Sequence, residues 1–384
     1  MDSVETWVND IRQAAKGVIK QVPRQHIIDC DKDGSFPNKL YDTMSELGLW
    51  GVGLPEEHGG MGGGVSAMVA LVETLSAAGM PPFNYLITGF ARMAIYSHGT
   101  PEQVEQFVKP TADGKKRIAF AITEPNAGTN TMAIKTFAKK EGDSYIINGQ
   151  KAFISGVNDC EWMLLITRTQ LLKDVPNPAV GITPFIVDTN AAGIALNEMR
   201  IRVSPPDRQY EVFLDDVQVP AERMVGKEGE GMKGLFVGLN PERLMTSAIS
   251  CGLADYAIDK AVEYIKERAP FGKPTGSYQG LQHPLARTKA RLEAARLMLY
   301  DAAKRIDMGE RTGAVPSMAK LLCSEVATEA FDIAIQCHGG YGFDEDYDLI
   351  TLLPCARAQR VAPVNNEMML NFIGEHVLGL PKSY

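Results

Sequence analysis

The spacing of apolar and polar positions changes twice along this chain. From its start to about residue 115, apolar residues recur three and four apart, the repeat of an amphipathic helix. "FPNKLYDTMSELGL" keeps it up to Gly48, and "VSAMVALVETLSAAG" keeps it until just before Pro81. From Arg117 to about Val219 the pattern shortens to strand-like runs: "RIAFAIT", "SYIINGQKAFIS", "WMLLITRT", "GITPFIVDT" and "YEVFLDDVQV", parted by Gly, Pro and Asn-Asp turns. Within the second run, Asn148-Gly149 predicts a type I′ hairpin. Long helical patterns return from Gly229, with breaks at Pro270-Phe271-Gly272, "MGERTG" and "HGGYGF". Helices, then strands, then helices predict an α+β chain, not an alternating parallel-sheet fold. The expected domains are 1–116 (helical), 117–226 (β) and 227–384 (helical). The glycine cluster "HGGMGGG" at 58–64 lacks the Lys-Ser or Lys-Thr of a phosphate loop and reads as a flexible connection.

Composition narrows the function. The net charge is −8, and the 39 basic residues are scattered among 47 acidic ones, so no basic block tracks a phosphate backbone and nucleic acid is excluded as a partner. Six dispersed cysteines without a C-x-x-C, and six dispersed histidines without an H-E-x-x-H, leave no metal-ligand set and point to a reduced, intracellular protein. No apolar run approaches the ~18 residues of a membrane span. Asp2, Glu5 and Asp10 are foreign to a transit peptide, so the cytoplasm is the expected location.

The stretch "AFAITEPNAGTNT" (119–131) is an apolar strand entering a polar, glycine-bearing turn, which reads alone as a loop or as an anion-binding nest. It is followed by "NGQKAFISG" (148–156), "ERAPFG" (267–272), "YQGLQ" and "QCHGGYGF" (336–343), and preceded by "GLPEEHGGMG". In this order the motifs resemble the acyl-CoA dehydrogenase family of flavoproteins over nearly the whole chain. The resemblance implies an N-terminal helical domain, a middle β-barrel and a C-terminal four-helix bundle, with FAD in the crevice between barrel and bundle. It also implies a homotetramer built as a dimer of dimers, and an electron-transfer flavoprotein as acceptor. By the same resemblance Ile122, Thr123 and Gly128 lie along the flavin, Phe153 stands against the isoalloxazine and Ser155 near N5. Arg268, Phe271, Gln279, Gln336, Gly339 and Gly340 hold the diphosphate and adenosine, partly from a neighbouring subunit. Two positions depart from the family pattern: Asn130 stands where Asp is usual, and Phe153 where tryptophan is usual.

The family reaction removes the proton α to a thioester carbonyl while hydride leaves the β-carbon, so the chain needs a base. Many members carry a glutamate near the C-terminus; an ungapped match places Asn366 there, and an amide is no base at pH 7. Glu367 is turned ~100° away on a helix. Other members carry the glutamate on the first long C-terminal helix, just before an arginine, and "NPER" places Glu242 and Arg243 in that arrangement. Read from the residues alone, Glu242 is either a first-turn glutamate favoured by the helix dipole and paired with Arg243, or a desolvated carboxylate on the face of Met245, Ile249 and Gly252, suited to accept a proton. The resemblance favours the base. It further implies substrate contacts from Thr129 and Asn240, either a substrate contact or a purely structural ion pair for Arg243, and an oxyanion donor from the backbone N–H of Asn366. The expected activity is FAD-dependent α,β-dehydrogenation of an acyl-CoA. A flavin monooxygenase on the same scaffold and a non-catalytic paralogue are the other readings.

Overall fold

The computed structural model describes residues 3–203, 205–310 and 313–383, with the backbone alone at residue 3 and at 233–239. The N-terminal part holds α1 (Ser3–Gln21), α2 (Arg24–Asp33), α3 (Asn38–Glu46), α4 (Gly64–Ser76), α5 (Phe83–His98) and the single turn α6 (Pro101–Gln103). A capping box starts α6: the Thr100 hydroxyl accepts from Gln103 N, and the Gln103 side chain accepts from Thr100 N. Helix α4 is apolar nearly all round and buried from Val65 to Leu75 save Thr74, as a helix enclosed on every side must be. The glycine cluster before it is not the flexible connection expected. It is pinned by backbone hydrogen bonds from Gly53 N to Gly62 O (2.8 Å) and from Met61 N to Gly51 O (2.8 Å). Asp307, far along the chain, then caps α4 by accepting from Val65 N (2.6 Å) and Ser66 N (2.9 Å).

Seven strands form the middle part: β1 (Ile118–Ala121), β2 (Phe137–Glu141), β3 (Ser144–Ser155), β4 (Trp162–Arg168), β5 (Ile182–Asp188), β6 (Ile194–Met199) and β7 (Gln209–Pro220). They make one curled sheet in the order β1-β4-β2-β3-β7-β6, with β5 on the other side of β4. Asn148-Gly149 is not a hairpin turn. Strand β3 runs straight through it, and the pair faces a register shift in the β3–β7 ladder, where Asn148 exchanges hydrogen bonds with Asp216 (both 2.9 Å). The tight turn lies earlier, at Gly142-Asp143, with Gly142 at φ 60° in the first central position. Strands β2 and β6, absent from the predicted runs, are mostly exposed, so neither shows a regular alternation of apolar and polar positions.

The C-terminal part consists of α7 (Gly231–Glu267), α8 (Gln279–Asp307), α9 (Ala314–His338), α10 (Leu349–Ala358) and α11 (Asn366–His376), interrupted where the sequence predicts breaks. Helix α4 lies so close to α7 that a Cβ on Gly252 would stand 2.4 Å from the carbonyl oxygen of Glu73. The N-terminal helices and the bundle therefore share one core, running through Leu71, Leu75, Met245, Ile249, Leu292 and Phe331. Each such side chain contributes about 1.5–3 kcal/mol on burial. The sheet has its own core around Tyr145, Leu165, Phe185 and Val212. No helix of the described residues is long and apolar enough to cross a membrane.

Candidate active site

Strand β1 delivers the 122–131 loop to the edge of the sheet, and β3 fastens it there. Lys151, fully buried, donates from Nζ to the Ile122 carbonyl (2.9 Å) and to the Glu124 carboxylate (2.9 Å), while Ala152 N donates to the Thr123 carbonyl (2.9 Å). Glu124 also accepts from Lys135 N (2.6 Å) and Thr136 N (2.9 Å). Burial alone would raise its pKa, but the Lys151 cation and these donors hold it below the usual carboxylate range. Burial pushes the Lys151 ammonium down to about 8 against the pull of Glu124. With its base so tied, the loop leaves Ile122 and Thr123 half-buried and presents Gly128, Thr129 and Asn130 to solvent. The Asp-to-Asn departure at 130 leaves the following turn intact, since Ala133 N still donates to the Asn130 carbonyl (3.0 Å).

Phe153 sits at the second irregularity of the β3–β7 ladder, between Lys151 and Ile154, with φ 59°. Such a bulge re-aims a side chain, and a left-handed backbone at a bulky residue costs of order 1–2 kcal/mol. Phe153 is 54% exposed and so is no core aromatic. Two residues on, the Ser155 hydroxyl and the Gln209 amide are within 2.7–2.9 Å. Gln209 and the buried Glu124–Lys151 pair went unassigned in the sequence, although "TEP" and "GQK" both lie inside its motifs.

A second locus lies at the end of α7 and α9. Arg268, Gln336, Gly339 and Gly340 line an open cleft of about 580 Å³ together with Tyr264 and His338, whose rings stack at 4.2 Å. A Cβ on Gly339 or Gly340 would meet no atom within 4 Å, so the bare backbone faces open space there. Phe271, 83% exposed, and Gln279 are surface residues that do not line this cleft. Nor do Ile122, Thr123, Phe153 and Ser155. The candidate cofactor residues thus fall into two groups: a wall on the sheet and a cleft at the far end of the bundle.

Glu242 is not a first-turn residue. Helix α7 begins at Gly231 and continues through Pro241, so Glu242 stands beyond the first turn, to which the dipole effect is confined. Its residue is 8% exposed, its neighbours Leu244, Met245 and Ile249 are fully buried, and among the described residues its carboxylate has no hydrogen-bond or ion-pair partner. Arg243 turns away instead, its Nη1 donating to Asn240 Oδ1 at 2.9 Å. Burial pushes the Glu242 carboxyl up to about 8, against a weaker pull from the Arg243 guanidinium.

Asn366 does not offer its N–H as the oxyanion donor expected: that group donates to the Arg360 carbonyl (3.0 Å) as the chain turns into α11. The Asn366 amide oxygen accepts from Lys320 Nζ (2.7 Å) and Ser324 Oγ (3.1 Å). Its neighbour Asn365, which the sequence reading passed over, caps α11 by accepting from Met368 N (2.9 Å) and reaches across to donate to the Thr129 hydroxyl (2.9 Å). An Asn just ahead of an apolar periodic run is a helix-start signal that could have drawn notice.

Three family models match this chain in succession: the acyl-CoA dehydrogenase N-terminal domain over residues 8–115, the middle domain over 119–217 and the C-terminal domain over 229–378. The acyl-CoA dehydrogenase FadE12 of Mycobacterium tuberculosis is 36% identical over 378 residues, 97% of this chain and 96% of that protein. The caffeyl-CoA reductase-Etf complex subunit CarC of Acetobacterium woodii is 32% identical over 88% of this chain and 89% of its own. Among solved structures, butyryl-CoA dehydrogenase from Megasphaera elsdenii superposes with a TM-score of 0.91 at 30% identity, covering 97% of this chain and 98% of that one. With three successive domain matches and relatives aligned almost end to end, the chain belongs to the acyl-CoA dehydrogenase family of oxidoreductases.

Proposed function

We propose that this protein is an FAD-dependent acyl-CoA dehydrogenase whose α-proton acceptor is Glu242. The observation that carries the reading is that carboxylate: buried in mid-helix, unpartnered among the described residues, and with its proton affinity raised close to neutrality. A general base works best with a pKa near the working pH, and the value of about 8 lies there.

The donor chemistry fits FAD. Thr123 and the exposed 128–130 backbone supply hydroxyl and N–H donors, and Phe153 supplies an aromatic face held out from the sheet. Arg268, Gln336 and the bare backbone of Gly339 and Gly340 suit a diphosphate. When bound, FAD supplies the hydride acceptor. The chain's own part is to hold the thioester between Thr129 and α7 and to take the α-proton onto a Glu242 oxygen. Desolvation makes that transfer favourable, because the neutral acid is the form the apolar face prefers. Because Ile122, Thr123, Phe153 and Ser155 do not line the cleft that holds Arg268, Gln336, Gly339 and Gly340, we assign the bundle-end group to the FAD of a neighbouring subunit in a homotetramer. CarC, a relative named as part of an Etf complex, supports an electron-transfer flavoprotein as acceptor. Fatty-acid or related acyl metabolism in the cytoplasm completes the proposal.

A monooxygenase on this scaffold needs no α-proton base, and the buried Glu242 disfavours it. The test is anaerobic titration of the purified yellow protein with a panel of saturated acyl-CoA thioesters. Bleaching of flavin absorbance by at least one of them is expected. No bleaching by any, together with oxygen consumption driven by a flavin reductase, would overturn the reading.

A further inference from the structure

Helix α11 is weakly held by apolar contacts: of its described residues only Asn366 and Met369 are buried, and Leu370 is 54% exposed. Its N-terminal turn is nevertheless fastened on two sides. On the bundle side, Lys320 of α9, only 1% exposed, donates to the Asn366 amide oxygen, which Ser324 one turn further along α9 also reaches. On the sheet side, the adjacent Asn365 spans from the α11 cap to the hydroxyl of Thr129 in the 122–131 loop. Among the described residues, Lys320 has no carboxylate within ion-pairing distance; its direct acceptor is a neutral amide. A buried ammonium costs free energy unless it is well hydrogen-bonded, so a lysine here fits a demand that Asn366 be held in one place.

We infer that Lys320 is a positioning residue for the substrate loop, acting through Asn366 and Asn365 to fix Thr129 against the start of α11. Lys320 is in α9 and Thr129 in the loop after β1, so the path joins two domains through adjacent residues of a third segment. The lysine is buried and bonds Asn366, so it acts through that residue. Its effect is on where the Thr129 hydroxyl stands when the acyl-CoA arrives. This inference rests on the dehydrogenase reading for what the loop binds, but the placement of the loop can be measured without it.

Two variants probe the path at its two ends. Lys320→Met removes the anchor, and Asn365→Ser keeps a good helix cap while losing the reach to Thr129. Hydrogen exchange followed by mass spectrometry on the FAD-loaded proteins is expected to show faster exchange in peptides covering 126–131 in both variants. KM for an acyl-CoA that bleaches the wild type is expected to rise about two- to tenfold in each, as the loss of one hydrogen bond implies, with kcat changed less than twofold. The double variant is expected to be no worse than the poorer single one. Faster exchange in α9 and α11 of Lys320→Met with the 126–131 peptides unchanged would make the lysine merely structural and overturn the inference. Additive KM effects in the double variant would do the same. If the wild type bleaches with no thioester, the dehydrogenase reading fails, while the exchange result still decides the path.

Discussion

The proposed chemistry rests on two side chains, Glu242 and Phe153. Glu242 has its proton affinity raised to about 8, so the folded chain binds a proton that the unfolded chain has released across the interval from the ordinary glutamate value up to 8. Its burial therefore lowers stability progressively as pH climbs through that interval, and is without effect on stability at lower pH, where both states are protonated. Glu242→Gln is expected to raise Tm at pH 8.5 relative to wild type by clearly more than at pH 4.5; an equal difference at both pH values would contradict the burial argument. Phe153 is the second. Because the residue is half exposed, Phe153→Ala is expected to leave the Tm of the FAD-free protein nearly unchanged while weakening FAD binding up to about tenfold, read by flavin fluorescence titration. The burial of Glu242 was legible in the sequence, where "NPER" runs into an apolar helical face. The commitment of the Asn366 N–H to Arg360 was not, because it depends on how a turn closes six residues back along the chain.

Among elements, what was legible follows how much apolar signal each one carries. Helices α7 to α9 bury long faces, and their ends fall beside the Pro, Gly and Gly-Gly punctuation of the sequence. Strands β2 and β6 bury little and left no alternation to read. Asn148-Gly149 misled because turn chemistry is local, whereas strand β3 is held on both sides by ladders to β2 and β7 that override it. The element on which the proposed cofactor wall depends is the β1–β3 junction, locked by Lys151 and Glu124. Removing one partner of a buried pair leaves the other uncompensated, so Lys151→Met is expected to destabilise the chain by about 3–5 kcal/mol in urea denaturation. A loss under about 1 kcal/mol would show that the pair is not needed to hold the loop.

For the whole molecule, one core joins the N-terminal helices to the bundle, and the sheet is docked against it through α5 and the 122–131 loop. On the proposed sharing of FAD between neighbouring subunits, assembly is part of the function. Light scattering of the FAD-loaded protein is expected to give four times the 41.9 kDa chain mass, and a stable yellow monomer would contradict the shared-site proposal. The proposed dehydrogenation requires above all that Glu242 take the α-proton. The most direct measurement is an anaerobic single-turnover experiment: Glu242→Gln, isolated with full FAD, mixed with a saturated acyl-CoA that bleaches the wild type. Flavin absorbance that stays at its oxidised level over the time in which the wild type is fully reduced is the result predicted; reduction at the wild-type rate would contradict it.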